Sequence, residues 1–103
     1  MDKRYVYILK TSDDVYKIGV AKDVESRVRQ LQTGSVEEIT LVNKFLSEFP
    51  FKIESTLHRK YNRNRINGEW YYLTEENLNS FINDCEKMEK NFKCLVEAKN
   101  PFI

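Results

Sequence analysis

The sequence predicts an α+β fold in which a small central antiparallel sheet is flanked by helices and followed by a long C-terminal helix. Two runs rich in β-branched and aromatic residues, RYVYIL and VYKIGVA, stand on either side of the turn residues TSDD, which is typical of a hairpin. Apolar residues recur at helical spacing in two later stretches. At 103 residues, the chain is long enough for one domain with a single modest core.

The alternation of apolar residues predicts the register of the hairpin. The even-numbered apolar residues of both strands fit one face of the sheet. That arrangement requires a loop with an odd number of residues, for instance 12–14, and it sets Tyr7 opposite Gly19. The residues predicted to share the other face are Tyr5, Tyr7, Lys17 and Gly19.

Three further elements follow the hairpin. Asp23 is expected to be the N-cap of a first helix that runs to about Gln32. The stretch EITLVNKFL indicates a third strand that pairs with the hairpin. Pro50 suits the first position of a second helix, and EWYYL, after a loop, indicates a short strand or an extended segment.

A last helix is expected to begin after Thr74, which is a good N-cap residue. Its apolar residues step by 3, 4, 3, 4 and 3, and they are Leu78, Phe81, Cys85, Met88, Phe92 and Leu95. This spacing is typical of a coiled-coil seam. We expect the first half, up to Cys85, to fold back on the sheet, whereas the second half leaves open a homodimer formed through this helix. The predicted division is a domain over residues 1–75 and a C-terminal helix over 76–103.

Composition excludes several classes of protein. A hydrophobic share of 41% and a charged share of 32% suit a globular chain. No apolar run approaches the roughly 18 residues of a membrane span, so we expect a cytoplasmic protein with no membrane partner. Cys85 and Cys94 lie nine residues apart on a helix, where they point to nearly opposite sides and cannot bridge each other. With one histidine, the chain has no zinc-site signature.

The charge pattern leaves DNA as a candidate partner. The net charge of +1 does not mark a strongly basic nucleic-acid binder, but residues 41–73 carry six basic and three acidic side chains. The stretch HRKYNRNR, at 58–65, is the centre of this surplus. Such a patch fits DNA phosphates, and it equally fits a solvated helix end with cations near its C-terminus. The candidate phosphate contacts in it are Arg59, Lys60, Arg63 and Arg65.

The residue types needed to cut a phosphodiester bond are present. A tyrosine whose pKa is lowered by cations can act as a base, and an arginine can clamp phosphate oxygens. A single carboxylate can hold Mg²⁺ or Mn²⁺. Tyr7, Arg27 and Glu54 are the candidates for these three roles. Each also has an ordinary explanation, as a strand aromatic, a surface helix residue and an acid in the first turn of a helix.

The order and spacing of these residues resemble the GIY-YIG superfamily of nuclease domains, over residues 5 to about 73. The likeness is closest to a phage and bacterial branch that is often labelled a DNA-binding domain. The motifs that carry it are KIG at 17–19, LQTG at 31–34, ESTLH at 54–58 and GEWY at 68–71. The resemblance implies a GIY-YIG-like fold and a metal-dependent DNA endonuclease or nickase. It also implies Tyr7 as general base, Arg27 as phosphate clamp and Glu54 as metal ligand.

Lys17 occupies the position of the family's second tyrosine. As a cation near Tyr7 it would favour the phenolate and contact phosphate, or else it marks a site that has kept DNA affinity and lost turnover. His58 shares a helix face with Glu54 and is a candidate to assist metal, water or phosphate, or it forms a helix pair with no chemistry. Glu69 is a second carboxylate, which we expect to cap a turn.

Two further residues complete the predicted DNA surface. Gly19, without a side chain, would leave room for a phosphate beside Tyr7, and Lys22 is a candidate phosphate contact. Two other functions remain open on the sequence. One is a non-catalytic DNA-binding module of the same fold, and the other is a protein-interaction domain that acts through the last helix.

Overall fold

The structure, a computed structural model, describes residues 3–11 and 14–99. The helices and strands in this part of the chain are β1 Arg4–Thr11, β2 Tyr16–Ala21, α1 Val24–Thr33, β3 Ile39–Ser47, α2 Pro50–Lys60, β4 Arg65–Asn67, β5 Trp70–Tyr71 and α3 Glu75–Lys99. These strands form one antiparallel sheet in the order β3-β1-β2-β5-β4. The predicted α+β fold with a long C-terminal helix is therefore confirmed.

The hairpin has the register that the apolar alternation predicts. Tyr7 pairs with Gly19, and Ile8 pairs with Ile18. The loop expected at 12–14 falls largely on residues 12 and 13, which lie outside the described residues. On its other edge β1 pairs with β3, so β1 is an interior strand of the sheet.

The sheet buries apolar residues on both faces. The larger cluster lies between the sheet and the helices α2 and α3, and its buried members are Val6, Ile8, Tyr16, Ile18, Ile53, Leu57, Tyr61, Tyr71, Phe81 and Cys85. The smaller cluster lies on the α1 side and consists of Tyr7, Leu9, Val24 and Ile39. Because both faces of the sheet are covered, four successive residues of β1, Val6–Leu9, are all buried.

The hairpin of β4 and β5 was only half predicted. The sequence indicated a short strand near Trp70 but a loop where β4 lies. The turn between the two strands is Gly68 and Glu69, and Gly68 has a φ of +50°, a left-handed conformation that glycine adopts without steric cost. β5 pairs with β2 through Lys17 and Trp70, which brings Glu69 beside Lys17.

The predicted helix starts are confirmed. Asp23 accepts a hydrogen bond of 3.0 Å from the backbone N–H of Ser26, and Pro50 is the first residue of α2. Thr74 and Asn77 cap α3 reciprocally, because the side chain of each accepts a hydrogen bond from the backbone N–H of the other, at 3.1 and 3.0 Å.

The long helix α3 packs on the sheet further along its length than the sequence suggested. Cys85 is fully buried, as predicted, and Met88 and Phe92 also pack against the core. Leu95 is 53% exposed, so the unburied part of the stripe is short, and the homodimer stays a prediction. In the described part of the chain, no helix, α3 included, is long and apolar enough to cross a membrane.

The two cysteines should differ sharply in their reaction with thiol reagents. Burial raises the pKa of the Cys85 thiol to about 12, so the reactive thiolate is scarce at pH 8, whereas Cys94 is exposed. We expect one rapidly reacting thiol per native chain with Ellman's reagent and two after unfolding in guanidinium chloride. The variant Cys94→Ser should have no rapidly reacting thiol until it unfolds. Rapid reaction in native Cys94→Ser would contradict the packing of α3 on the sheet.

Candidate active site

Tyr7, on β1, lies near the other two residues that were expected to do the chemistry, Arg27 and Glu54. Its ring is 1% exposed, and burial is the largest influence that raises its pKa above 10.0. The Arg27 guanidinium acts in the opposite direction and lowers the pKa of Tyr7. The carboxylates of Glu69 and Glu54 are near enough to raise the Tyr7 pKa further. Tyr7 is therefore within electrostatic reach of Arg27 and Glu54, and also of a fourth residue, Glu69.

Gly19 accommodates Tyr7. A Cβ atom at position 19 would lie 2.5 Å from Oη and 2.7 Å from Cζ of the Tyr7 ring, far closer than van der Waals contact allows. The prediction that Gly19 leaves room here for a phosphate is corrected, because the phenol of Tyr7 itself fills this space. Gly19 thus acts on the site by allowing Tyr7 to lie across β2.

Lys17 is held by Glu69. Its ammonium nitrogen lies 2.7 Å from Oε2 of Glu69 and 5.5 Å from the centre of the Trp70 ring, and its side chain is 9% exposed. Burial raises the pKa of Glu69, but the hydrogen bond and charge of Lys17 bring it below its usual value. The expectation that Lys17 favours the phenolate of Tyr7 is corrected: the cation that lowers the pKa of Tyr7 is Arg27.

Glu54, His58 and Glu69 form a compact group of ligand atoms. One carboxylate oxygen from each glutamate and one ring nitrogen of His58 all lie within 4.8 Å of one another. Nε2 of His58 lies 3.7 Å from Oε2 of Glu54, and both side chains are less than one-fifth exposed. Burial, followed by the charge of Glu69, raises the pKa of Glu54. Two close carboxylates and an imidazole form a donor set that fits a divalent cation.

His58 is oriented by Tyr71 and Arg65. Nδ1 of His58 contacts the Tyr71 hydroxyl, and the two rings are 5.3 Å apart. The same hydroxyl accepts hydrogen bonds from Arg65, at 3.0 Å from Nη2 and 3.3 Å from Nε. Burial lowers the pKa of His58, the charge of Glu69 opposes that change, and the charge of Arg65 adds to it. The lowered pKa favours the neutral imidazole, which is the form that binds metals.

Comparison with known proteins shows the family of the chain. The model of the T5orf172 domain matches residues 4–86 of the chain. The chain belongs to the T5orf172 domain family. This domain is found in phage and bacterial proteins associated with GIY-YIG and HNH-like nucleases.

A relative of this T5orf172 domain occurs in Invertebrate iridescent virus 6, in a protein described as "Uncharacterized protein 460R". The two are 29% identical over 90 residues, which cover 82% of this chain and 41% of the viral protein. The chain thus spans less than half the length of that relative. No solved structure matches the T5orf172 chain.

The predicted phosphate contacts of this T5orf172 domain are exposed but differ in what they contact. The exposed members of the set are Lys22, Arg59, Lys60, Arg63 and Arg65. Lys60 forms an ion pair of 2.6 Å with Asp84 on α3. Arg65 reaches Tyr71 at the edge of the site, so its guanidinium is already engaged beside His58. Within the basic stretch, Arg65 therefore lies beside the site, whereas the other cations lie on the outer surface of the T5orf172 domain.

Two residues of the T5orf172 site were underestimated on the sequence. Glu69 was expected to cap a turn, and Tyr71 was not among the predicted site residues. Glu69 binds Lys17, and Tyr71 is fully buried but also contacts His58 through its hydroxyl. The GEWY motif was the available signal, because it places a carboxylate directly before a strand that pairs with β2 at Lys17.

Proposed function

We propose that this protein is a metal-dependent DNA endonuclease or nickase of the GIY-YIG type, which hydrolyses phosphodiester bonds. The observation that carries the proposal is the convergence of Tyr7, Arg27 and Glu54, since a base, a phosphate clamp and a metal ligand are what this reaction needs. The association of T5orf172 domains with phage and bacterial nucleases supports DNA as the substrate. The viral relative supports a location inside the cell, which we take to be the cytoplasm.

Each residue has a defined role in the proposed reaction. Tyr7 acts as its phenolate, takes the proton of the attacking water and becomes the neutral phenol. The Arg27 guanidinium beside it favours the phenolate that this step requires. Arg27 is exposed on α1 and so can also contact a phosphate that approaches from solvent. Glu54 would hold Mg²⁺ or Mn²⁺. When bound, that ion would supply a Lewis acid to offset the charge that develops on the phosphate oxygens.

A DNA-binding module without turnover is the second candidate function, and the burial of Tyr7 favours it. Burial keeps the pKa of Tyr7 above 10.0 in spite of Arg27, so little phenolate is present at neutral pH. Lys17 stands where the family's second tyrosine would stand, and its ammonium is engaged by Glu69. In this alternative, DNA is held by exposed cations such as Arg59 and Arg63, and no bond is cut.

A nicking assay with Arg27→Ala distinguishes the two functions. Supercoiled plasmid and single-stranded DNA are incubated with the protein in Mg²⁺, in Mn²⁺ or in EDTA. We expect cleavage with either metal and none in EDTA. Arg27→Ala should lower the rate by about 10²-fold, because Tyr7 loses the cation that lowers its pKa and the phosphate loses its clamp. The control is Arg29→Ala, an exposed arginine two residues along α1, which should cleave nearly as fast as the wild type. Salt-sensitive DNA binding without cleavage in any metal would contradict the nuclease and support the binding module.

A further inference from the structure

We infer that Glu54, His58 and Glu69 together form a metal centre. This centre binds transition-metal ions, which favour nitrogen ligands, more tightly than Mg²⁺, and the Lys17 ammonium competes with the ion for it. The inference rests on the proposed function for its part in DNA cleavage, whereas metal binding is measured separately. It goes beyond a single glutamate ligand, because it adds two ligands and a competing side chain.

The ligand atoms come from two elements that the sheet holds together. Glu54 and His58 lie four residues apart on α2, and Glu69 precedes β5. Their ligand atoms lie within 4.8 Å of one another, so modest side-chain rotations bring them to one ion. Mg²⁺ prefers an all-oxygen shell with several waters, while an imidazole nitrogen favours later first-row ions. A centre with His58 in it should therefore bind Co²⁺ more tightly than Mn²⁺, and Mn²⁺ more tightly than Mg²⁺.

His58 is already oriented as a ligand. Because Nδ1 contacts the Tyr71 hydroxyl, Nε2 is the nitrogen that faces Glu54, at 3.7 Å. A histidine that binds a metal through one nitrogen generally has its other nitrogen held by a hydrogen-bonding partner. Tyr71 provides that partner, and two hydrogen bonds from Arg65 fix its hydroxyl in turn.

Lys17 supplies the positive charge that the two glutamates need when no ion is bound. Its ammonium is 2.7 Å from Oε2 of Glu69, and its charge also acts on Glu54, where it favours the carboxylate. The side chain is only 9% exposed, so solvent screens this charge weakly. An incoming cation is repelled by the ammonium and needs the carboxylate that the ammonium holds. Removing Lys17 should consequently strengthen metal binding.

Calorimetric titration of the full chain with Mg²⁺, Mn²⁺ and Co²⁺ tests both parts. We expect one Co²⁺ to bind per chain, with an affinity at least about tenfold higher than that of Mg²⁺. His58→Phe, which keeps an aromatic ring but has no ring nitrogen, should lower the Co²⁺ affinity about 10- to 100-fold and change the Mg²⁺ affinity little. Lys17→Met should raise the affinity for all three ions about three- to tenfold. The control is Lys90→Met, an exposed lysine of α3, which should leave all three affinities unchanged.

Two results would overturn the inference. If His58→Phe binds Co²⁺ as tightly as the wild type does, His58 is not a ligand. If Lys17→Met binds the three ions as tightly as the wild type does, Lys17 does not compete with them. Circular dichroism checks that each variant folds; if His58→Phe does not fold, Glu69→Gln is used, and the centre requires that it also weakens Co²⁺ binding. Plasmid nicking is measured on the same samples. Co²⁺ binding through His58 without cleavage contradicts the proposed nuclease and supports the metal centre. Cleavage in Mg²⁺ with equal affinity for Co²⁺ and Mg²⁺ supports the nuclease and contradicts the metal centre.

Discussion

Replacing Gly19 by alanine should destabilise the native state by about 1–3 kcal/mol and displace Tyr7 from the site, because the added Cβ meets a buried ring. The new atom would lie 2.5 Å from Oη and 2.7 Å from Cζ of Tyr7, and the ring is 1% exposed, so it has little room to move. Urea unfolding measures the loss of stability. The same variant should lose DNA cleavage, since Tyr7 would be displaced from the Arg27 guanidinium that lowers its pKa.

Two comparisons separate this steric effect from a general effect of losing a glycine. At Gly34 an added Cβ would meet its nearest atom at 3.9 Å and the φ is −92°, so Gly34→Ala should leave the stability almost unchanged. In a Tyr7→Leu background, Gly19→Ala should cost less than in the wild type, by about 1 kcal/mol in a double-mutant cycle. An equal cost in both backgrounds would show that Gly19 does not make room for Tyr7.

The pair of Tyr7 and Gly19 also shows what the sequence could predict. Their pairing followed from the apolar alternation alone, because a shift of one residue would move every apolar side chain to the wrong face. The use of the space above Gly19 did not follow from it. Which group fills that space depends on the direction of the Tyr7 ring under α1, and a pattern of apolar residues does not contain that information.

The site was predictable where a residue acts alone and less so where it acts through a partner. Tyr7, Arg27 and Glu54 were each named from the chemistry they offer and from the family resemblance. The role of Lys17 depends on Glu69, which is distant in sequence and comes near it through the pairing of β5 with β2. That pairing is two residues long, and such a short strand has too little apolar pattern to fix its partner in advance.

Replacing Glu54 by glutamine should lower the rate of metal-dependent DNA cleavage by about 10²- to 10³-fold while it leaves the fold intact. Glutamine has nearly the same shape as glutamate but has no charge with which to hold a divalent ion. The rate is measured by plasmid nicking in Mg²⁺ and in Mn²⁺. DNA affinity, measured at the same salt concentration in EDTA, should be unchanged or slightly higher, because a negative charge near the phosphates is removed.

The electrostatics of the site explain why stability should survive this change. Burial and the charge of Glu69 raise the pKa of Glu54 above its usual 4.5, so the folded state binds a proton at Glu54 more tightly than the unfolded state does. The stability from this group is therefore fully present only below about pH 4.5, and it is lost as the pH rises through the raised pKa. At pH 7 without metal, Glu54→Gln removes an unfavourable buried charge. Its melting temperature should equal or exceed that of the wild type at pH 7, and the difference should shrink toward pH 4.

Glu38→Gln, which removes the charge of an exposed glutamate before β3, should affect neither cleavage nor melting temperature. If Glu54→Gln lost cleavage, DNA affinity and melting temperature together, the carboxylate would be a structural group, and the metal-ligand role would be wrong. Loss of cleavage alone, with added metal raising the melting temperature of the wild type and not of Glu54→Gln, would connect the carboxylate to the ion directly, since a ligand that binds only the folded state stabilises it by mass action.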